Sequence, residues 1–397
     1  MAERIGIIGI GQTEFKGRRT DVSQSELVGT AVRRALENAQ LTIKDVDVVL
    51  TTNMELFEGT YMTDAVLAEG TGSYLKSGMK LQSGGTSGST ISVSAFGHAA
   101  SGLFKAVLAV AFEKQDEGSS DAGLRTISED VFFDVTTGGR GASNVISELA
   151  QDMLRRKSVT EEQIARLRVK QSENAGKNPH AHLRKKLTVE DVFASRYIIP
   201  PLRLWHVCPT SVGACAIIVS PESWARRLSP NPAWVVDWTT VHGGMQPPIG
   251  YQGVALGRGP LGPMWAYGVE ESSGRLYRRN GITNPRKEFD VVEVYDMSTW
   301  SEAEWYERIK LCDINMAGKL IDEGATTLSG DIPVNPSGGV TSTNAIGASA
   351  MIRIAEAAIQ VRGEGGDRQV PNVRTALAVT AGGDNYSSAT LIKKSLV

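Results

Sequence analysis

Short buried strands that alternate with helices, a second half that repeats the order of the first, and a polar stretch between them predict an α/β protein. Its expected plan is two duplicated halves with an inserted segment. Ile5–Gly11 is an apolar run punctuated by glycine and reads as a buried strand. Its glycines run G-x-x-G-x-G, which is the wrong order for a dinucleotide fingerprint, so packing glycines are the better reading. Ser23-Gln24-Ser25-Glu26 gives a capping box, and Leu27, Val28, Ala31, Val32, Ala35 and Leu36 follow at helical spacing. Val46–Leu50 is the next strand.

Gly84-Gly85-Thr86-Ser87-Gly88 then leads into Ser89–Ala100, a nearly uncharged run of small residues that reads as a helix buried on all sides. Such a turn aims free backbone N–H groups and the positive end of the helix dipole into the molecule, where an anion or developing oxyanion can sit. Tight packing of small residues explains the same turn. His98 lies within this helix and reads as a packed histidine. Leu103–Phe112 is expected to be a buried strand.

Residues 115–200 are polar and look like an insertion that covers an active site, with a helix over Thr160–Ala175 capped by Thr160. His180 and His182 lie two apart in a loop with no third ligand nearby, so solvated loop residues are expected there and no metal site. Residues 212–220 are a buried strand in which Cys215 acts as an apolar filler. The second half follows the same plan. Asp290–Asp296 is a strand, Trp305–Ile321 is helical, Asn335–Gly339 is a turn, Ala345–Val361 is a helix, and Thr375–Thr380 is a strand leading into Ala381-Gly382-Gly383.

Composition bounds the function. A chain of 397 residues with 41% hydrophobic residues can bury a large core. Its 42 basic and 44 acidic residues leave a net charge of −2, which gives no general pull toward nucleic acid or an anionic membrane surface. No apolar run is long enough to span a membrane, and the N-terminus lacks a signal-peptide core. Cys208, Cys215 and Cys312 have neither disulfide-framework nor metal-ligand spacing, so a cytoplasmic protein is expected.

Residues 333–348 read Pro-Val-Asn-Pro-Ser-Gly-Gly-Val-Thr-Ser-Thr-Asn-Ala-Ile-Gly-Ala, which resembles the P-x-N-x-x-G-G…G-H-P-x-G-A segment of the thiolase superfamily. The Gly-Gly-Thr-Ser-Gly turn, Thr160-Glu161-Glu162-Gln163, Asn174-Ala175, Asn178-Pro179, Glu293-Val294-Tyr295-Asp296, Gln360-Val361-Arg362-Gly363 and the final Gly-Gly stand in the same order. Together they resemble the sterol-carrier, or lipid-transfer-protein, branch of that superfamily across nearly the whole chain. The resemblance implies a five-layered αβαβα thiolase fold, a homodimer core, and a CoA thioester bound as substrate with no tightly held cofactor. The halves it implies are 1–114, completed by 201–225, and 226–397, with 115–200 as the insertion.

Position by position, the machinery of a working thiolase is replaced. The acyl-accepting cysteine falls at about Gly85, the histidine of the H-D-A-F-type motif is Tyr295, that of the G-H-P motif is Asn344, and the proton-moving cysteine is lost near Ala381. No cysteine occurs between residues 1 and 207, and acyl transfer needs a thiolate with a base beside it. What the resemblance leaves is an oxyanion site: backbone N–H groups around Gly85 and Gly382-Gly383, with Asn344 as a side-chain donor. Tyr295 becomes the candidate acid/base, and Thr86, Ser87 and Asp296 the candidate substrate contacts. The set resembles the thiolase-like aldolases that shorten steroid side chains carried on CoA, although those have a second tyrosine where this chain has Asn344. The expected reaction is retro-aldol cleavage of a β-hydroxyacyl-CoA. An unusual thiolase acting on a bulky or aromatic β-ketoacyl-CoA and a non-catalytic acyl-CoA-binding subunit are the alternatives. The branch also implies a small partner protein of zinc-ribbon plus OB-fold type, in a heterotetramer.

Overall fold

The computed structural model describes residues 3–60, 62–119, 142–242, 264–382 and 386–396. In chain order, the first half supplies β1 (Ile5–Gln12), α1 (Gln24–Ala39), β2 (Val48–Thr52), β3 (Ser77–Lys80), α2 (Ser87–Ala100) and β4 (Val107–Lys114). The insertion supplies α3 (Ala142–Arg155), α4 (Glu161–Lys177) and α5 (Val189–Ala194), and β5 (Val212–Pro221) returns the chain to the first half. After α6 (Glu222–Leu228), the second half runs β6 (Ala233–His242), α7 (Met264–Asn280), β7 (Val291–Val294), α8 (Thr299–Arg308), α9 (Ala317–Asp322), α10 (Ile346–Arg362), β8 (Thr375–Ala381) and β9 (Tyr386–Lys393).

These nine strands form one continuous sheet in the order β3-β2-β4-β5-β1-β6-β9-β8-β7, apart from a small two-stranded sheet of Tyr197–Ile199 and Leu202–Arg203, and the two ends of the large sheet are built alike. β2 lies parallel to β4, which is antiparallel to β5, and β5 is antiparallel to β1. Likewise β7 lies parallel to β8, β8 is antiparallel to β9, and β9 is antiparallel to β6. β3 extends the first half beside β2, and a parallel bridge from Val292 to Val334 extends the second half at the matching place. A short antiparallel seam, Ile5 to Val235 through Ile7 to Ala233, joins the halves.

Three hydrophobic clusters fill the spaces between layers. One lies between α1 and the first half-sheet, with Ile8, Val28, Val49, Leu108 and Ile218. The central one gathers Ile91, Phe96, Val107, Ile217, Met351, Ile354 and Ala378 around α2 and α10, which pack on each other. The third, with Leu276, Val292, Trp300, Tyr306 and Leu391, lies on the far side of the second half-sheet. The layers are therefore α1, half-sheet, α2 with α10, half-sheet, and α7 with α8. With both faces covered, every residue of β1 is buried. The glycines of that strand are packing glycines, because a Cβ at Gly11 would overlap the Ala31 carbonyl of α1.

Two expectations need correction. The continuous helix over Trp305–Ile321 is instead α8, which starts earlier with Ser298 as its cap, a break, and α9. Lys310 and Asn315 adopt left-handed backbone within the break, at φ 61° and 67°, which no helix accommodates. The loop around His180 and His182 is not solvated, since Asn178 and Ala181 are buried and both histidines are half-buried. It is held by the second half: Asn178 Nδ2 donates to Ser337 O at 3.0 Å, and the His182 backbone N–H donates to Thr343 Oγ1 at 3.0 Å.

Candidate active site

The turn before α2 and the ends of β7 and β8 meet where the halves face each other. A Cβ built on Gly85 would lie 3.5 Å from Tyr295 Oη, 3.6 Å from Gly382 Cα and 3.8 Å from Ile346 Cγ1. Residues 85, 295, 346 and 382 thus surround one point. The hydrogen bond of 3.0 Å from Thr380 Oγ1 to Ser89 Oγ ties the end of β8 to the start of α2. Thr86 and Ser87 shape the turn. Thr86 Oγ1 donates to Ser83 O at 2.7 Å, and Ser87 Oγ donates to Gly84 O at 2.6 Å while accepting from the Ser83 N–H at 3.0 Å. The Gly382 N–H donates to Tyr386 O at 3.2 Å, so it serves strand pairing. Gly383 lies outside the described residues.

Tyr295 follows β7 and keeps its register, with its N–H donating to Val379 O at 2.9 Å. Trp305 Nε1 donates to the Tyr295 carbonyl at 2.8 Å, which fixes the backbone that carries the phenol. Asp296 faces the turn at residues 339–341 and α4 of the insertion. Its carboxylate accepts from Val340 N at 2.6 Å, Thr341 Oγ1 at 2.7 Å and Gln171 Nε2 at 3.0 Å. Burial, then the Glu302 charge, raises its pKa to about 8. Gly339, at φ 70°, leaves room for this carboxylate, because a Cβ there would overlap both of its oxygens. Asp296 therefore anchors the turn that leads to Asn344. Glu302 lies beside it, and although burial alone would raise its pKa, the Lys170 ammonium and several donors hold it below the ordinary range.

Asn344 is buried and held on several sides. Its N–H donates to Ser211 Oγ at 3.0 Å, its carbonyl accepts from Gln115 Nε2 at 2.9 Å, and its Oδ1 accepts from Ser349 Oγ at 2.8 Å. These bonds fix the amide orientation, so Nδ2 carries the donors, and it donates to Cys208 Sγ at 3.2 Å. His182 Nδ1 lies 2.9 Å from the same Ser211 hydroxyl, and burial lowers its pKa. Cys208 packs with Met297 against Tyr295, Val340 and Ala350. Burial, with the Asp296 charge adding to it, pushes its thiol up to about 12, so it is neutral and a poor nucleophile.

Beneath the N-terminus of α10, the Gly347 N–H donates to Glu113 Oε2 at 2.6 Å, and burial, reinforced by Glu58, raises the Glu113 pKa well above the usual range. The Tyr295 phenol stands at the Gly85 point, and the neutral Cys208 thiol, which accepts from the Asn344 amide, packs in the Tyr295 cluster. Such a set moves protons and holds a negative oxygen. It lacks a thiolate to take an acyl chain. Among the described residues no cluster of histidine, cysteine and carboxylates has the makings of a metal site, and no helix is long and apolar enough to cross a membrane.

Residues 263–395 match the family described as "Thiolase C-terminal domain-like". Along nearly its whole length the chain is similar to the acetyl-CoA acetyltransferase of Methanothermobacter thermautotrophicus, with 27% identity over 388 residues that cover 97% of this chain and 98% of that one. The chain is thus similar to the thiolase superfamily, through its C-terminal third and along its length. Within it, human sterol carrier protein 2 is 25% identical over 408 residues, covering 98% of this chain and 72% of that protein. The solved structure of an "Ltp2-ChsH2(DUF35) aldolase" superposes with a TM-score of 0.82 at 22% identity, covering 100% of this chain and 99% of the other, so the thiolase fold is shared throughout.

Sequence reasoning passed over Cys208 because its place depends on a contact distant in sequence. An antiparallel bridge from Val207 to Ser298 and the bond from the Cys208 N–H to Met297 O, 3.2 Å, set it beside Tyr295. A cysteine 87 positions before the tyrosine carries no spacing signal. The available clue was the apolar strand that begins four residues later, at Val212, which places Cys208 at a strand entrance.

Proposed function

We propose that this chain is a thiolase-superfamily enzyme, a CoA-thioester-dependent carbon–carbon lyase that cleaves a β-hydroxyacyl-CoA, such as a CoA ester of a steroid side chain, by a retro-aldol reaction. The observation that carries the reading is the point shared by Gly85, Tyr295 and Gly382: a phenol faces the place where a thiolase nucleophile would stand, and that place is glycine. Retro-aldol cleavage needs no covalent enzyme intermediate. Tyr295 takes the proton of the β-hydroxyl, the bond between the α- and β-carbons breaks, and the enolate oxygen of the shortened acyl-CoA is held by N–H donors. Asn344 is the side-chain donor, since its amide has a second N–H beside the one on Cys208. Gly85 contributes an N–H and open space, and Gly382 open space. Asp296 acts by positioning, and Thr86 and Ser87 by shaping the turn. A tyrosine ordinarily titrates near about 10, so Tyr295 works as a relay or with its phenolate stabilised by those donors.

The likeness to an acetyl-CoA acetyltransferase supports a second reading, a thiolase acting on a bulky or aromatic β-ketoacyl-CoA. Panels of β-hydroxyacyl-CoA and β-ketoacyl-CoA esters of matched chain length separate the two: release of an aldehyde or ketone from the former supports the lyase, and consumption of the latter alone supports the thiolase. The CoA thioester is substrate, with no tightly held cofactor, and the setting is cytoplasmic.

A homodimer core fits β3, an edge strand that leaves a row of backbone donors and acceptors unpaired next to the exposed Leu75 and Met79. A small zinc-ribbon/OB-fold partner completes the assembly, in line with the DUF35 component named for the similar aldolase. Co-expression followed by light scattering tests this, and full turnover by a lone homodimer would count against the partner.

A further inference from the structure

Retro-aldol cleavage requires two proton movements at different atoms. One proton leaves the β-oxygen, and another must reach the α-carbon of the enolate. Tyr295 accounts for the first. The Asn344 amide bears on the second, because it makes two contacts from one nitrogen. One N–H points to Cys208 Sγ at 3.2 Å. If the other holds the enolate oxygen, ordinary hydrogen-bond geometry sets that oxygen and the sulfur roughly 5 Å apart. The α-carbon, next to the carbon that bears the oxygen, then falls within reach of the sulfur.

We propose that Cys208 is the proton donor of this site, delivering the Sγ proton to the α-carbon of the enolate that carbon–carbon cleavage leaves behind. The inference rests on the lyase reading. In the step, the electron pair of the broken bond becomes the enolate, its α-carbon takes the proton from Sγ–H, and a thiolate remains. The β-hydroxyl proton, now on Tyr295, returns to that thiolate directly or through solvent. One proton leaves oxygen and one arrives at carbon, with no oxidant or reductant involved.

The surroundings suit a donor rather than a nucleophile. Cys208 accepts from Asn344 Nδ2, which leaves its own S–H free to point elsewhere, and it packs against Tyr295, Val340 and Ala350. Burial and the nearby Asp296 carboxylate keep the thiol neutral at physiological pH. A thiol is still far more acidic than the α-carbon of a thioester, so the transfer runs downhill. The thiolate formed is poorly solvated and quickly takes back a proton, which resets the site.

Stereochemistry reads this directly. Cleavage of a β-hydroxy-α-methylacyl-CoA in D₂O gives propanoyl-CoA with one α-deuterium. The parent protein is expected to deliver it to one face and give a single enantiomer. Cys208→Ala is expected to cleave about 10²-fold more slowly and to give racemic label, because solvent then quenches the enolate. Cys208→Ser keeps the shape and is a much weaker acid. It covers the case in which alanine fails to fold, with turnover lowered at least tenfold and the label scrambled. Tyr295→Phe is the control, slowing cleavage while its residual product stays enantiopure. Enantiopure label from both folded Cys208 variants overturns the proposal alone. A parent protein that cleaves no β-hydroxyacyl-CoA overturns the lyase reading and the proposal with it.

Discussion

Gly85→Ala separates the role of the glycine in the fold from its role at the reacting point. Gly85 does not use left-handed backbone, and the nearest atoms to a new Cβ, at 3.5, 3.6 and 3.8 Å, are ordinary van der Waals neighbours. Alanine at such a position restricts the unfolded chain and typically stabilises by about 0.4–1 kcal/mol, so the melting temperature should hold or rise slightly. The new methyl, however, would stand 3.5 Å from Tyr295 Oη, in the volume where the substrate carbon bearing the β-hydroxyl has to sit. That hydroxyl must come within about 2.6–3.2 Å of the phenol oxygen for proton transfer. A displacement of about 1 Å costs about 10²-fold, so kcat/KM for a β-hydroxyacyl-CoA should fall by about that factor. Steady-state release of the carbonyl product, beside thermal melts of both proteins, measures the two effects. Gly85→Ala that turns over within a few-fold of the parent would refute the placement of the substrate, and a variant that unfolds would refute the packing.

Tyr295→Phe removes one oxygen from a buried ring and should lower cleavage by about 10²–10⁴ with folding intact, as circular dichroism and kinetics together would show. Asn344→Ala, which removes the donor to both Cys208 and the enolate, should lower turnover by about 10²–10³. Gly339→Ala should behave oppositely to Gly85→Ala. At φ 70° and against the Asp296 carboxylate it should lose at least about 2 kcal/mol, seen as a shifted denaturant midpoint. Burial, then the charges of Arg203 and Arg168, holds His206 at about 3, against about 6.5 when unfolded. The unfolded state therefore binds a proton that the folded state refuses, so its contribution to stability is complete above about pH 6.5 and is lost as the pH falls toward 3. Imidazole NMR should show His206 neutral at pH 5, and a charged ring there would contradict the burial argument.

Much of the architecture was legible because burial on both faces leaves plain apolar runs. Ile5–Gly11, Val46–Leu50 and residues 212–220 all fall within or beside observed strands. β9 escaped notice because Tyr386, Ser387, Ser388 and Thr390 look like loop polarity, although all are buried in the sheet. The break after α8 escaped because Ile309, Leu311 and Leu320 keep an apolar spacing across it. At the site, the motif order pointed to Gly85, Tyr295 and Gly382, and the fold brings these three together. The polar face of α4 gave the opposite lesson. Its segment is polar in sequence, yet Arg168, Lys170, Gln171 and Asn174 are buried, with Lys170 paired to Glu302 and Asn174 Nδ2 donating to Asn335 O at 2.9 Å. Partners supplied by another part of the chain leave no local pattern, and Cys208 was overlooked for the same reason.

Whether cleavage depends on free CoA decides between lysis and acyl transfer. A lyase transfers no acyl group, so a β-hydroxyacyl-CoA should yield equal amounts of carbonyl product and shortened acyl-CoA with no CoA added, at a rate that added CoA does not raise. Tyr295→Phe should remove that activity. Cleavage that occurs only with a β-ketoacyl-CoA, requires free CoA, and survives Tyr295→Phe would contradict the lyase mechanism and assign the chain to thiolysis.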